Sequence, residues 1–235
     1  MKTIGLIGGM SWESTASYYQ QINEAVKVNL GGLHSAKIIL YSVDFHEIER
    51  LQHAGDWDGA GAYLAVVAQS LECAGADFLV LCTNTMHKVA PAIEATVNIP
   101  LLHIADPTAS ALRAAGFSKA GLLGTRFTME EDFYRARLIE QHGVDVIIPQ
   151  SVDREIIHRI IYDELCLGQV LSASRAQYTR IMQALVADGA QCIILGCTEI
   201  SLLVGAQDAT VPLFDTTAIH ALTAAQYAMA GDALN

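Results

Sequence analysis

The 235-residue chain carries one short pattern twice, in the same order and at almost the same spacing. Gly5-Leu6-Ile7-Gly8 returns as Gly121-Leu122-Leu123-Gly124, and Gly75-Ala76-Asp77-Phe78-Leu79-Val80-Leu81 returns as Gly189-Ala190-Gln191-Cys192-Ile193-Ile194-Leu195. Ile99-Pro100-Leu101 returns as Val211-Pro212-Leu213. The separations are 116, 114 and 112 residues. A glycine beside an apolar run is common, but three collinear matches at nearly one offset predict duplication of a single folding unit. The length then resolves into two similar lobes of ordinary domain size.

Within each copy, short apolar runs alternate with longer amphipathic ones. Segments 3–8, 36–43, 77–81, 99–103, 120–124, 145–148, 191–195 and 211–214 are apolar on both faces, the pattern of parallel strands covered by helices on both sides. Segments 14–29, 58–74, 106–115, 129–142, 153–164, 173–188 and 216–229 have helical length between them. The order βαβα predicts an α/β fold of two pseudo-symmetric lobes, each a mainly parallel sheet flanked by helices. In such sheets ligands sit beyond the carboxyl ends of the strands, which places the expected site in the cleft between the lobes.

Composition narrows what that site can be. With 52% hydrophobic and 17% charged residues the chain has material for a core. A net charge of −11 with no basic cluster excludes nucleic acid and anionic membrane surfaces as partners. Met1-Lys2-Thr3-Ile4-Gly5 opens directly into a strand, and no stretch is long and apolar enough to span a bilayer, so a soluble cytoplasmic protein is expected. Five cysteines without CxxC or CxxH spacing point to free thiols rather than to disulfides or a metal site. Neither GxGxxG nor GxxxxGK[ST] occurs, which disfavours nucleotide cofactors.

The strand ends carry the chemistry. They read Gly8-Gly9-Met10-Ser11-Trp12 and Cys82-Thr83-Asn84-Thr85-Met86-His87 in the first copy, and Gly124-Thr125-Arg126-Phe127-Thr128 and Gly196-Cys197-Thr198-Glu199 in the second. Hydroxyls and helix-opening amides can hold a carboxylate without a fixed counter-ion. Cys197 follows a buried strand where a helix is expected to begin, a position that lowers a thiol pKa and makes an acid/base near neutral pH. Laying the repeat on itself pairs Cys82 with Gly196 and Thr83 with Cys197. Two thiols facing each other across a cleft are what cofactor-free racemisation needs, one removing the α-proton and the other delivering a proton to the opposite face. Thr83 is a far weaker base than a thiol, so such a site is lopsided unless Cys82 turns inward through a bulge. Glu199 either orients the Cys197 thiol or caps a helix, and Thr125, Thr128 and Asn84 also suit caps and turns. Met129-Glu130-Glu131-Asp132 suits a helix start, Trp12 a cleft wall or core position, and His87 a satisfied helix residue rather than a general acid.

Ile7-Gly8-Gly9-Met10-Ser11-Trp12-Glu13-Ser14-Thr15, Asn84-Thr85-Met86-His87 and Gly196-Cys197-Thr198-Glu199-Ile200 resemble the aspartate/glutamate racemase family, most closely its bacterial aspartate and broad-specificity amino-acid racemase branch. The resemblance covers nearly the whole chain. It implies racemisation of a small amino acid without pyridoxal phosphate or metal, two lobes (1–104 plus 216–235, and 105–215), a last helix packed on the first lobe, and a homodimer. Cys197 then takes one acid/base role. The second family thiol stands directly before Asn-Thr, where this chain has Thr83, with Cys82 one residue earlier. Met10, Ser11, Asn84, Thr85, Thr125, Thr128 and Thr198, with Glu199, match positions that hold the substrate, and Gln52, in the loop after the second strand, is a candidate for side-chain recognition. Decarboxylation or isomerisation of small dicarboxylates, and amino-acid binding without catalysis, are the alternatives on the same scaffold.

Overall fold

In the computed structural model, which describes residues 1–230, the chain divides into two compact units: Met1–Ile104 joined by the chain from His220 onward, and Ala105–Ile219. The first runs β1 (Ile4–Gly8), α1 (Trp12–Leu30), β2 (Ile38–Ser42), α2 (Phe45–Ala54), α3 (Trp57–Cys73), β3 (Phe78–Leu81), a 3-10 turn over Thr85–Val89, α4 (Ala90–Glu94) and β4 (Leu101–Leu102). Its sheet is parallel in the order β2-β1-β3-β4. Segment 44–57, expected as loop, contains α2. Only Ile48 and Gln52 of that helix are buried, so its apolar stripe is faint in sequence. Its ends are nevertheless marked: Asp44 accepts from the His46 N–H, and Gly55 closes it in the left-handed conformation.

The second unit runs α5 (Ala105–Ala114), β5 (Lys119–Gly124), α6 (Arg126–Glu130), α7 (Asp132–Ala136), a π turn over Arg137–Gln141, β6 (Asp145–Ile147), α8 (Ser151–Asp163), a 3-10 turn over Leu165–Leu167 and α9 (Ser172–Ala187). It continues through β7 (Cys192–Gly196), α10 (Ile200–Leu203), a 3-10 turn over Ala206–Asp208, β8 (Leu213–Asp215) and the start of α11 (Thr216–Met229). Its sheet order, β6-β5-β7-β8, repeats that of the first. The expected helix over 129–142 is instead three short pieces. Thr125 caps α6 upstream, so the acidic run falls at that helix's end, and Glu131 turns extended before α7 begins. The π turn is tied down by Arg137, which donates to both carboxylate oxygens of Asp106, with His142 on the same carboxylate at 3.0 Å.

The two sheets share a register that the repeat offsets foreshadow. Ile7 pairs with Leu81 as Leu123 pairs with Leu195, and Leu79 pairs with Leu101 as Ile193 pairs with Leu213. On one face of the first sheet, Ile7, Leu79 and Leu81 pack with Leu64, Leu71 and Ile93. On the other, Ile4, Leu6, Phe78 and Val80 pack with Tyr18 and Ile22 of α1 and with Ala221, Ala224, Ala225 and Ala228 of α11. A one-residue slip would exchange these faces, and at about 1.5–3 kcal/mol per large apolar side chain such a slip is prohibitive. The strand ends are thereby held in place.

Candidate active site

In the first unit, the turn after β1 is a closed knot. Gly9 adopts φ +96°, and a Cβ there would strike the Val43 backbone. Its N–H donates to Thr15 Oγ1 at 2.8 Å, and that hydroxyl donates to the Ser11 carbonyl at 2.8 Å. Ser11 caps α1 by accepting from Ser14 N–H, and the Met10-Ser11 peptide is cis. Met10 is buried in the apolar cluster of Ile7, Val43 and Ile48. Ser14 Oγ lies 3.5 Å from the Cys82 carbonyl, joining this turn to the end of β3. Ser14 and Thr15 were not among the sequence candidates, although each is a hydroxyl at a helix start. Trp12 is 67% exposed at the start of α1, so it is not a core position.

Past β3 the side chains diverge. Cys82 is wholly buried among Ile4, Leu6, Tyr18 and Phe78, with Sγ 3.8 Å from the Val80 carbonyl, and burial pushes its thiol well up. No bulge turns it outward, since its N–H keeps the bond to the Ile7 carbonyl. Thr83 is buried too, but its backbone leaves the ladder: its N–H donates to Leu81 O and its carbonyl accepts from His87 Nδ1–H at 2.7 Å. Asn84 and Thr85 open the 3-10 turn and are buried. Gln52 is in α2, not in a loop, and its Nε2 lies 2.9 Å from Met86 Sδ, which brings it against this same turn. His87 is held far below the ordinary histidine range by burial first, then by His103 and His220.

In the second unit, Thr125 accepts from Thr128 N–H, and the two hydroxyls lie 3.2 Å apart, both buried. Gly196 has no room for a side chain, since a Cβ would meet the Leu123 carbonyl at 2.9 Å. Cys197 follows it, buried, and donates its thiol proton to Glu199 Oε2 at 3.0 Å. Thr198 Oγ1 donates to the same oxygen at 2.6 Å. Of the two roles open to Glu199, it takes the first: its side chain makes no capping bond to α10. The expected lowering of the Cys197 pKa is reversed. The helix begins only at Ile200 and has four residues, too little dipole to matter, while burial and then the Glu199 charge push the thiol well up.

Asp215, at the end of β8, is a further, half-buried carboxyl that sequence reasoning missed. Burial raises its pKa against the Thr217 and Ala218 N–H groups that donate to it, and Asp-Thr-Thr before a helix was the available signal. Thr216 Oγ1 donates to the Leu195 carbonyl at 2.8 Å, bracing the strand that carries Cys197. Among the described residues no group of three or more His, Cys, Asp or Glu side chains is arranged to hold a metal, and no helix is long and apolar enough to cross a membrane. What the ends of β3 and β7 offer is a hydroxyl at one position, a thiol paired with a carboxylate at its counterpart, and neutral donors around each. That set suits proton transfer to and from carbon.

Residues 7–224 match the family model described as Asp/Glu/Hydantoin racemase. The broad specificity amino-acid racemase RacX of Bacillus subtilis is 22% identical over 227 residues, covering 92% of this chain and 93% of its own. A crystal structure from Yersinia pestis, named provisionally as an Asp/Glu racemase, is 63% identical with a TM-score of 0.91, covering 97% of this chain and all (100%) of its own. An aspartate racemase homologue from Pyrococcus horikoshii is 34% identical with a TM-score of 0.83, over 97% and 99% of the two chains.

Proposed function

The chain belongs to the Asp/Glu/hydantoin racemase family, and from that footing we propose that it inverts the α-carbon of aspartate, glutamate or a related small amino acid, using Cys197 on one face and Thr83 on the other. The carrying observation is the Cys197 thiol hydrogen-bonded to the Glu199 carboxylate at 3.0 Å, at the strand position that Thr83 occupies in the other unit. Cys82 is set aside because its thiol is part of the core.

Cys197 rests as a thiol, which is the state that delivers a proton. To act as base it passes that proton to Glu199, and the thiolate then takes the α-proton of the substrate while the Thr83 hydroxyl protonates the opposite face and is recharged from water, the hydroxide so formed taking the proton back from Glu199. Ser11, Asn84, Thr85, Thr125, Thr128 and Thr198 supply neutral donors for the carboxylates and acceptors for the amine. Met10 and Gln52 border the side-chain pocket. The protein works as a cytoplasmic homodimer in this reading.

A hydroxyl is a poor base, so the Thr83 step limits inversion. The two enantiomers have equal free energy, hence kcat/KM is the same in both directions and the asymmetry emerges elsewhere. The enantiomer whose α-proton faces Cys197 exchanges it with solvent faster than it inverts. Incubating single enantiomers of aspartate and glutamate in D₂O reads both rates. Deuterium gain with inversion supports racemisation, loss of the carboxyl group supports decarboxylation instead, and neither change sinks the enzymatic reading.

A further inference from the structure

We propose that His87 is the positioning residue for Thr83, setting the direction of its hydroxyl through the backbone; the inference rests on the racemase reading. Thr83 lies beyond Leu81, the last residue of β3 in the parallel ladder, so no strand neighbour fixes its carbonyl. The imidazole of His87 does, at 2.7 Å. A carbonyl can only accept, so Nδ1 carries the hydrogen, and Nε2 is then the acceptor for the Ile104 N–H at 3.2 Å. Both ring nitrogens are thus used by backbone groups from two separate segments.

The ring has little freedom to turn. His103 lies edge-on at 4.5 Å between ring centroids and His220 at 5.9 Å, and His87 itself is 1% exposed. His220 is pinned by the same logic, with Nε2–H donating to the Leu102 carbonyl at 2.8 Å and Nδ1 accepting from the Tyr18 hydroxyl at 2.8 Å. Such a satisfied, neutral ring is a rigid strut rather than an acid or base. In the second unit the equivalent task falls to a side chain, because Glu199 grips the Cys197 thiol directly. Threonine offers no comparable handle here, and its hydroxyl is aimed by holding the peptide that bears it.

The test compares His87→Asn, whose amide nitrogen reaches the place of Nδ1, with His87→Gln, whose longer amide reaches the place of Nε2. Exchange and inversion are measured together in D₂O for the enantiomer that faces Cys197. His87→Asn keeps the bond to Thr83 and holds inversion within about threefold of wild type, whereas His87→Gln loses about tenfold in inversion kcat with KM and exchange rate unchanged. General loosening would lower exchange and inversion in step, so an unchanged exchange-to-inversion ratio in His87→Gln overturns the inference while leaving the racemase reading standing. Wild-type protein that neither exchanges nor inverts overturns the racemase reading, and this inference with it.

Discussion

Thr83 and Cys197 stand at corresponding ends of two sheets with one topology and one register, yet the chain secures them in opposite ways. Around Thr83 the grip is on the main chain, by Leu81 and His87. Around Cys197 it is on the thiol itself, by Glu199. The residue before each follows suit: Cys82 fills core volume, while Gly196 must be bare because Leu122 and the Leu123 carbonyl occupy the space. A duplicated scaffold can therefore keep its backbone and diverge in which atom it controls. In the proposed racemisation the thiol side stores a proton and the hydroxyl side depends on placement.

Removing the thiol is the harshest way to break this comparison. Cys197→Ser puts two hydroxyls at the two ends, and exchange and inversion both fall by on the order of a thousandfold or more, since neither group ionises near neutral pH. Retained exchange in that variant would refute the assignment of Cys197. Next in size is Glu199→Gln, with turnover at neutral pH down about 10- to 100-fold, because a neutral amide cannot take the thiol proton. Its pH profile carries a sign of its own. Burial and the Glu199 charge push Cys197 up, so the thiolate is scarce at neutral pH and wild-type exchange climbs as pH rises. Without the charge the thiol falls, and the climb begins at lower pH. An alkaline limb that does not move would mean that Glu199 acts on something other than the thiol.

Thr83→Cys makes the two ends alike and sharpens the comparison from the other direction. Inversion rises about tenfold while exchange hardly changes, so their ratio approaches one. A variant with unchanged inversion would show that the Thr83 step is not limiting. That Thr83, not Cys82, is the counterpart of Cys197 at the end of its own sheet was legible in sequence because the offsets of 116, 114 and 112 residues act as a register: each matched pair of runs became a matched pair of strands. Tertiary pairings were less legible. Gln52 reads as loop because α2 buries only two side chains, and the direction of the Cys197 pKa is hidden in sequence because a thiol's environment depends on burial and on a carboxylate two residues away whose rotamer no sequence displays. The same holds for His87, whose bonds run to Thr83 and to distant Ile104.

Cys82 is the smallest and most discriminating case, since it differs from Thr83 by one position and from Cys197 by nothing chemical. Its side chain belongs to the buried apolar cluster of Ile4, Leu6, Tyr18 and Phe78, and burial holds it protonated. Cys82→Ala removes one buried sulfur and leaves a small void, which costs about 1–2 kcal/mol of stability and a few degrees of melting temperature. Exchange and inversion measured well below that temperature stay within about twofold of wild type, because no bond to Thr83 runs through the Cys82 side chain. A stable but inactive Cys82→Ala protein would reverse the register on which the pairing of Thr83 with Cys197 depends, and would move the second acid/base one residue back along the chain.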